Sequence, residues 1–275
     1  MNRLPLASVR VLDLDMAAAG AYAARLLADA GAEVIGVETL PIQRPGAASQ
    51  FNDLNRNKLG CTLDLSRPDG RELIIRLATR CDVVVERPES DRQERPLITY
   101  DALRAARPDI IVVSIRGVGR TNGRPDMDDI VAGTAAAGAT CVALLHHRNT
   151  GTGQHVEVDA ADCAVSLVGE LVVARALGHE AAAAVAVPLP SARELLRDPR
   201  LRERHFFEPV SHLKGGVQEI AGPPWRFSLT PGHVRLPAPE PGQHNRYVFR
   251  DLLGLSPEET AGLERRGIIG ATGDA

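Results

Sequence analysis

The chain has 275 residues, of which 44% are hydrophobic and 24% charged, a composition typical of a globular protein with one large domain or two smaller ones. A formal net charge of −3 provides no basic surface for nucleic acid or for an anionic membrane. Because only 3% of the residues are aromatic, the core must be mainly aliphatic and base-stacking platforms for single-stranded nucleic acid are disfavoured. These values favour a small molecule or another protein as the partner.

The first part of the chain alternates between strand and helix patterns. Val9–Leu14 is predicted as a strand and Ala18–Ala30 as a helix that Gly31 closes. Further strands are predicted at Glu33–Glu38, Gly60–Leu65, Asp82–Glu86 and Asp109–Ile115, and further helices at Pro68–Arg80 and Tyr100–Ala106. Strands that are apolar on both faces and alternate with helices predict an α/β fold, with a parallel Rossmann-like sheet flanked by helices.

The pattern in the second half of the chain indicates that the whole chain divides into three parts. A long helix over residues 129–147, a strand at His155–Asp159 and a helix ending near Leu177 complete a large domain over residues 1–177. Residues 178–241 are less regular and contain a stretch rich in Pro and Gly, which indicates a small domain or crossing segment. Residues 242–275 are predicted to return to the large domain as helices.

Cysteine spacing and hydropathy predict a cytoplasmic protein. The four cysteines are far apart and form no CxxC pair, which is typical of reduced thiols: Cys61, Cys81, Cys141 and Cys163. Charged residues such as Arg10 and Asp13 interrupt the apolar start of the chain, so no signal peptide is predicted. The longest uncharged run, over residues 130–145, is shorter than the ~20 residues of a membrane span and predicts a buried helix.

General motifs exclude several kinds of site. The turn after the first predicted strand contains Gly20 alone where a dinucleotide-binding loop needs three glycines, which argues against NAD and FAD. His and Cys residues never cluster at the spacing of metal ligands, so no metal site is predicted.

Five blocks of sequence carry a more specific signal. The blocks are Leu12–Leu14 with Gly20–Glu38, Leu54–Lys58 with Thr62–Leu65 and Gly70–Leu73, Asp82–Glu86 with Tyr100–Arg104 and Ser114–Gly119, Asp129–Gly133 with Thr150–Glu157, and Pro241–Asn245 with Leu252–Ser256. In this order the blocks resemble the family III coenzyme A transferases, which include formyl-CoA transferase, carnitine CoA-transferase and the α-methylacyl-CoA racemases. The resemblance implies a CoA-transferase whose substrates are an acyl-CoA and a carboxylic acid.

The resemblance assigns a catalytic role to Asp129. In such transferases an Asp at the head of this helix attacks the acyl-CoA thioester, and an aspartyl-CoA thioester forms. Asp129 stands four residues before Gly133, which is the matched position. The alternative is that Asp128 or Asp129 only caps the helix.

The resemblance also implies residues that contact coenzyme A. Asn55, Arg56 and Lys58 match the nucleotide-contacting segment, where Arg56 and Lys58 could neutralise phosphates. Gly117 and Gly119 resemble glycines that border the active site. The alternatives are a solvated turn for the first segment and a plain turn after a strand for the second.

The chain departs from the family pattern in ways that leave other functions open. Segments are missing between Gly119 and Asp129 and between Gly178 and Val187, so the second domain is reduced. These losses leave open a non-catalytic CoA-binding subunit that pairs with a full-length homologue. A racemase needs a His–Asp pair, and no His lies between Gly117 and Asp129. A homodimer, or a heterodimer with a homologue, is expected.

Overall fold

The structure is a computed structural model that describes residues 3–15, 18–42, 48–88, 98–117, 127–178, 190–213 and 215–270. Its main feature is a six-stranded sheet made of β1 (Arg10–Asp13), β2 (Glu33–Thr39), β3 (Lys58–Leu63), β4 (Val83–Glu86), β5 (Ile111–Arg116) and β6 (His155–Asp159). The order is β3-β2-β1-β4-β5-β6, and all neighbouring strands are parallel. The predicted parallel α/β fold is therefore confirmed.

Helices connect the strands and cover both faces of the sheet. They are α1 (Ala18–Asp29), α2 (Ala48–Asn55), α3 (Pro68–Ala78), α4 (Tyr100–Ala106), α5 (Met127–Thr150) and α6 (Ala160–Ala176). After α1, Gly31 has a φ of +108°, a conformation that suits glycine and ends the helix as expected. Strand β3 begins two residues earlier than predicted, at Lys58, and α5 is longer than predicted at both ends.

The rest of the chain adds a small antiparallel sheet and a C-terminal segment. Its elements are α7 (Ala192–Arg197), α8 (Pro199–Glu203), the hairpin strands β7 (Phe207–His212) and β8 (Gly216–Ala221), a π-helix (Tyr247–Leu252) and α9 (Pro257–Arg265). Val248, Phe249 and Ile268 belong to the same buried cluster as Leu12 and Ile35 of the large sheet. The C-terminal segment thus covers one face of that sheet.

The opposite face of the sheet is covered by α1 and α5. Small side chains dominate this core, and Ala19 and Ala23 of α1 pack with Ala132 and Ala136 of α5. Helix α5 is 24 residues long and apolar enough to cross a membrane by length and composition, but 33% of its most apolar stretch is buried inside the protein. Core helices pass the same test, and the contact with α1 shows that one side of α5 is part of the core.

We expect Gly133→Ala to destabilise the protein by about 1–3 kcal/mol, because the added methyl group overpacks the contact between α5 and α1. A Cβ at this position would lie 2.6 Å from the backbone oxygen of Ala19. Gly138, on the same helix, has no atom within 4 Å of such a Cβ, so Gly138→Ala should stabilise by up to about 1 kcal/mol. Urea unfolding of both variants measures the difference. Equal free energies of unfolding would contradict the close helix contact.

Candidate active site

The strand order creates a crevice at one edge of the large sheet. The chain leaves β1 toward β2 and leaves β4 toward β5, so the connections diverge between these two neighbouring strands. In open α/β sheets, ligands bind at the carboxyl ends of the strands where the order reverses. The start of α1 and the loop after β1 lie at this edge, and α5 begins there after the loop that follows β5.

Asp129 lies in the first turn of α5. Its side chain is fully buried, whereas the neighbouring Asp128 is exposed. One turn later, Gly133 lets α5 approach the first turn of α1, because any side chain there would meet Ala19 and Tyr22. Asp129 is therefore held at the crevice edge beside the start of α1, at a helix end whose dipole favours a negative charge.

A second carboxylate, Asp15, closes the loop between β1 and α1. Its Oδ2 accepts a hydrogen bond from the Gly20 backbone N–H at 3.3 Å, and its own N–H donates to Asp13 Oδ1 at 3.1 Å. Gly20 leaves the space that the Asp15 side chain occupies, since a Cβ there would lie 2.6 Å from the Asp15 Cβ. Arg87 Nη2 lies 3.8 Å from Asp15 Oδ1. The sequence-based prediction did not include Asp15, although its position directly after a buried strand is a signal that could have found it.

Lys58 lies beneath α1 and is fully buried. Its ammonium group donates to Asp13 Oδ2 at 2.8 Å, to Asn55 Oδ1 at 2.9 Å and to the Ala21 backbone oxygen at 3.0 Å. Each of the three N–H groups of the Lys58 ammonium thus has its own acceptor oxygen. Burial lowers the pKa of Lys58, and the interaction with Asp13 opposes this effect.

Arg56 is buried at the other end of α1. Its guanidinium donates to Asp29 Oδ2 at 2.7 Å, to Asp53 Oδ1 at 2.8 Å and to the Ala221 backbone oxygen at 2.5 Å. Burial alone would lower the pKa of Arg56, but its hydrogen bond and ion pair with Asp29 raise the pKa above the usual value. Arg56 thereby links α1 to the small β7–β8 sheet.

The structure brings Asn55, Arg56 and Lys58 together, but inside the protein. In this arrangement neither cation is accessible to a phosphate group, and the acidic partners occupy their donors. The predicted contact with coenzyme A would require these ion pairs to open, so it stays a prediction. Gly117 has a φ of +68°, which gives it a conformational role at the end of β5. Gly119 lies outside the described residues.

A further polar cluster lies on the sheet between β4, β5 and β6. The Ser114 hydroxyl donates to Glu86, and His155 Nε2 lies 2.8 Å from the same hydroxyl. The His155 ring stacks on Tyr100 with centroids 4.7 Å apart. Burial raises the pKa of Glu86, while the hydrogen bond from Ser114 opposes the rise. Glu86 ends β4 at the crevice, so it brings a third carboxyl group, after Asp129 and Asp15, to this edge of the sheet.

A family model described as CoA-transferase family III matches residues 6–128, 122–185 and 174–245 of the chain. The succinyl-CoA–D-citramalate CoA-transferase of Chloroflexus aurantiacus is 24% identical over 399 aligned positions, which cover 96% of this chain and 98% of that enzyme. Since this chain has only 275 residues, that alignment contains long gaps. The succinyl-CoA:mesaconate CoA-transferase of Haloarcula hispanica is 33% identical over 215 residues, 59% of this chain and 53% of that enzyme.

A solved structure confirms the fold. The CAIB/BAIF family protein from Brucella suis superimposes with a TM-score of 0.78 and 18% identity, over 91% of this chain and 100% of that protein. The aligned part of this chain spans about half the length of several curated relatives that it matches.

We expect Arg56→Met to lower the free energy of unfolding by about 3–5 kcal/mol, because Asp29 would stay buried without its counter-charge. Arg67→Met is the matched control, since Arg67 is exposed and its guanidinium donates to the Arg266 backbone oxygen; it should change stability by less than about 0.5 kcal/mol. Chemical denaturation measures both values. A neutral Arg56→Met would show that this ion pair does not hold α1.

Proposed function

Because this chain belongs to CoA-transferase family III, we propose that it transfers coenzyme A from an acyl-CoA to a carboxylic acid, with Asp129 as the nucleophile. The observation that carries this proposal is the position of Asp129, a fully buried carboxylate in the first turn of α5 at the carboxyl edge of the sheet. The dipole at this helix end favours an anion. Burial also limits access of water, which would hydrolyse a reactive acyl intermediate.

In the proposed reaction the Asp129 carboxylate attacks the thioester carbonyl and the CoA thiolate leaves, which gives a mixed anhydride. The thiolate then attacks the Asp129 carbonyl carbon, the donor acid departs as its carboxylate, and an aspartyl-CoA thioester remains. The acceptor carboxylate attacks this thioester, releases the thiolate and forms a second anhydride. Attack of the thiolate on the acceptor carbonyl gives the new acyl-CoA and restores Asp129, with no net gain or loss of protons.

Relatives suggest where to look for substrates. The names of the Chloroflexus and Haloarcula enzymes both contain succinyl-CoA. We therefore propose succinyl-CoA as the first donor to test, with dicarboxylic acids as acceptors.

Asp129→Asn should abolish CoA transfer while the melting temperature changes little, because the amide retains the size of the carboxylate and one acceptor oxygen but is not a nucleophile. Incubation of the wild-type protein with succinyl-CoA and hydroxylamine should modify the peptide that contains Asp129, as measured by mass spectrometry. Asp128→Asn is the control, since Asp128 is exposed on the same turn and should retain activity. Absence of an adduct on wild-type Asp129, together with full activity of Asp129→Asn, would contradict the assignment.

The surface of α6 supports the proposal that the protein is a homodimer. Only Ala160 of this helix is buried, although apolar residues occur all around it. Large aliphatic side chains that are at least half exposed lie on α6, at its C-cap and on the neighbouring end of α5: Val142, Leu145, Val165, Leu167, Leu171, Val172, Val173 and Leu177. A helix that is apolar on all sides is usually buried. These side chains present on the order of 500 Å² of apolar surface, the larger part of the ~800 Å² that one partner contributes to a standard interface.

Light scattering after size-exclusion chromatography should give wild-type protein a mass of 2 × 29.4 kDa. The double variant Leu171→Glu with Val172→Glu should elute as a monomer, because two carboxylates would be buried without partners. Val217→Glu is the control, because Val217 is equally apolar and 71% exposed but lies on β8. A wild-type monomer that forms a complex only with a full-length homologue would overturn the homodimer.

A further inference from the structure

A cleft beside the β7–β8 sheet collects an unusual share of the aromatic residues. Its volume is about 720 Å³, and Phe206, Phe207, Trp225 and Phe227 line it. The whole chain contains only three Tyr, one Trp and five Phe, so four of its nine aromatic residues surround one cleft. Aromatic rings that line a cavity offer faces and edges for stacking with another planar ring.

The charges around the cleft are mainly positive. Two arginines, Arg204 and Arg226, line it together with a single carboxylate, that of Glu208; His205 and His233 are also part of the lining. Glu208 is already engaged, since its Oε2 accepts the Val234 backbone N–H at 3.0 Å and lies 3.8 Å from His233 Nδ1. Arg204 and Arg226 are exposed, and neither forms an ion pair with another residue in the part of the chain that the structure describes. Such groups can bind a carboxylate or a phosphate through two parallel hydrogen bonds.

Contacts with the large domain hold the walls of the cleft in place. Asn57 Nδ2 donates to the His233 backbone oxygen at 3.2 Å, and Arg56 donates to the oxygen of Ala221, at the end of β8. At Gly222 a Cβ would lie 2.7 Å from Glu208 Oε1 and 3.0 Å from the Phe206 backbone oxygen, so the two walls approach closely there. These contacts within the protein fix the lining segments, so the cleft is preformed.

The cleft lies at the opposite end of α1 from the candidate active site. Gly232, which lines the cleft, packs near the backbone oxygen of Asp29, the last residue of α1. Asp129 lies near the first turn of the same helix, and twelve helical residues span roughly 18 Å. A ligand in this cleft is therefore not in contact with the proposed nucleophile.

We propose that this cleft is a second ligand site, which binds a planar aromatic group carrying a negative charge. The aromatic side chains stack with the ring, and Arg204 and Arg226 pair with the anion. This chemistry is shared by phosphorylated purines and by aromatic carboxylic acids. The proposal does not depend on the function of Asp129.

Trp225 is the only tryptophan of the chain and lines the cleft, so its fluorescence reports occupancy directly. The probes are adenosine 3′,5′-bisphosphate and cinnamate, and the controls are uncharged adenosine, cinnamyl alcohol and inorganic phosphate. We expect a saturable change with at least one charged aromatic probe and affinity at least about tenfold weaker for its uncharged counterpart and for phosphate. The preferred probe tells whether the ligand is a nucleotide or an aromatic acid.

The double variant Arg204→Gln with Arg226→Gln should weaken binding of that probe about tenfold or more, through loss of the charge-assisted hydrogen bonds. Both residues are exposed, so the melting temperature should not change. Arg193→Gln is the matched control, because Arg193 is equally exposed and lies on α7, outside the cleft. The proposal is overturned if no probe binds by fluorescence or calorimetry, if the uncharged compounds bind equally well, or if the double variant binds like wild type. Acylation of Asp129, measured on the same samples, should be unaffected by the double variant.

Discussion

The buried ion pair between Lys58 and Asp13 holds together the part of the structure on which the site depends. Lys58 begins β3, and its ammonium group contacts the end of β1, the first half of α1 and the end of α2. Removal of one partner from such a pair leaves a buried charge uncompensated, which costs more than the pair itself contributes. Asp13 in turn accepts the N–H of Asp15, whose carboxylate holds the start of α1. The buried ammonium group of Lys58 therefore stabilises the edge of the sheet against which Asp129 lies.

The sequence predicts the strands of the sheet but not the buried ion pairs that hold them to α1. Val83–Val85 is apolar on both faces, which is why the central strands and their parallel arrangement could be identified without a structure. The sequence does not reveal that Arg56 and Lys58 are buried, because a basic segment near a turn resembles a solvated surface. Their acidic partners, Asp29 and Asp13, are 27 and 45 residues distant along the chain. Only the folded arrangement shows that these residues meet.

Tertiary contacts of this kind also account for the features that sequence patterns missed. Glu86, Ser114 and His155 come from three different strands, and their cluster depends on the register of the sheet. The aromatic cleft likewise combines residues that precede and follow the β7–β8 hairpin. No periodicity along the chain marks either group. Asp129 is a candidate nucleophile because the family resemblance matches a carboxylate four residues before Gly133, and its role stays a prediction.

The chain thus combines a sheet edge of the family fold with a buried carboxylate, Asp129, at that edge, while α6 presents an exposed apolar surface. The central claim is that the Asp129 carboxylate forms mixed anhydrides with the donor and acceptor acids. Transfer of an oxygen atom from the acceptor acid to Asp129 tests this claim most directly. With succinyl-CoA and ¹⁸O-labelled succinate, the bridging oxygen of the second anhydride stays on Asp129 when the thiolate attacks the acceptor carbonyl. Mass spectrometry should therefore find ¹⁸O in the side chain of Asp129 after turnover. Exchange of CoA without label in Asp129 would contradict this account.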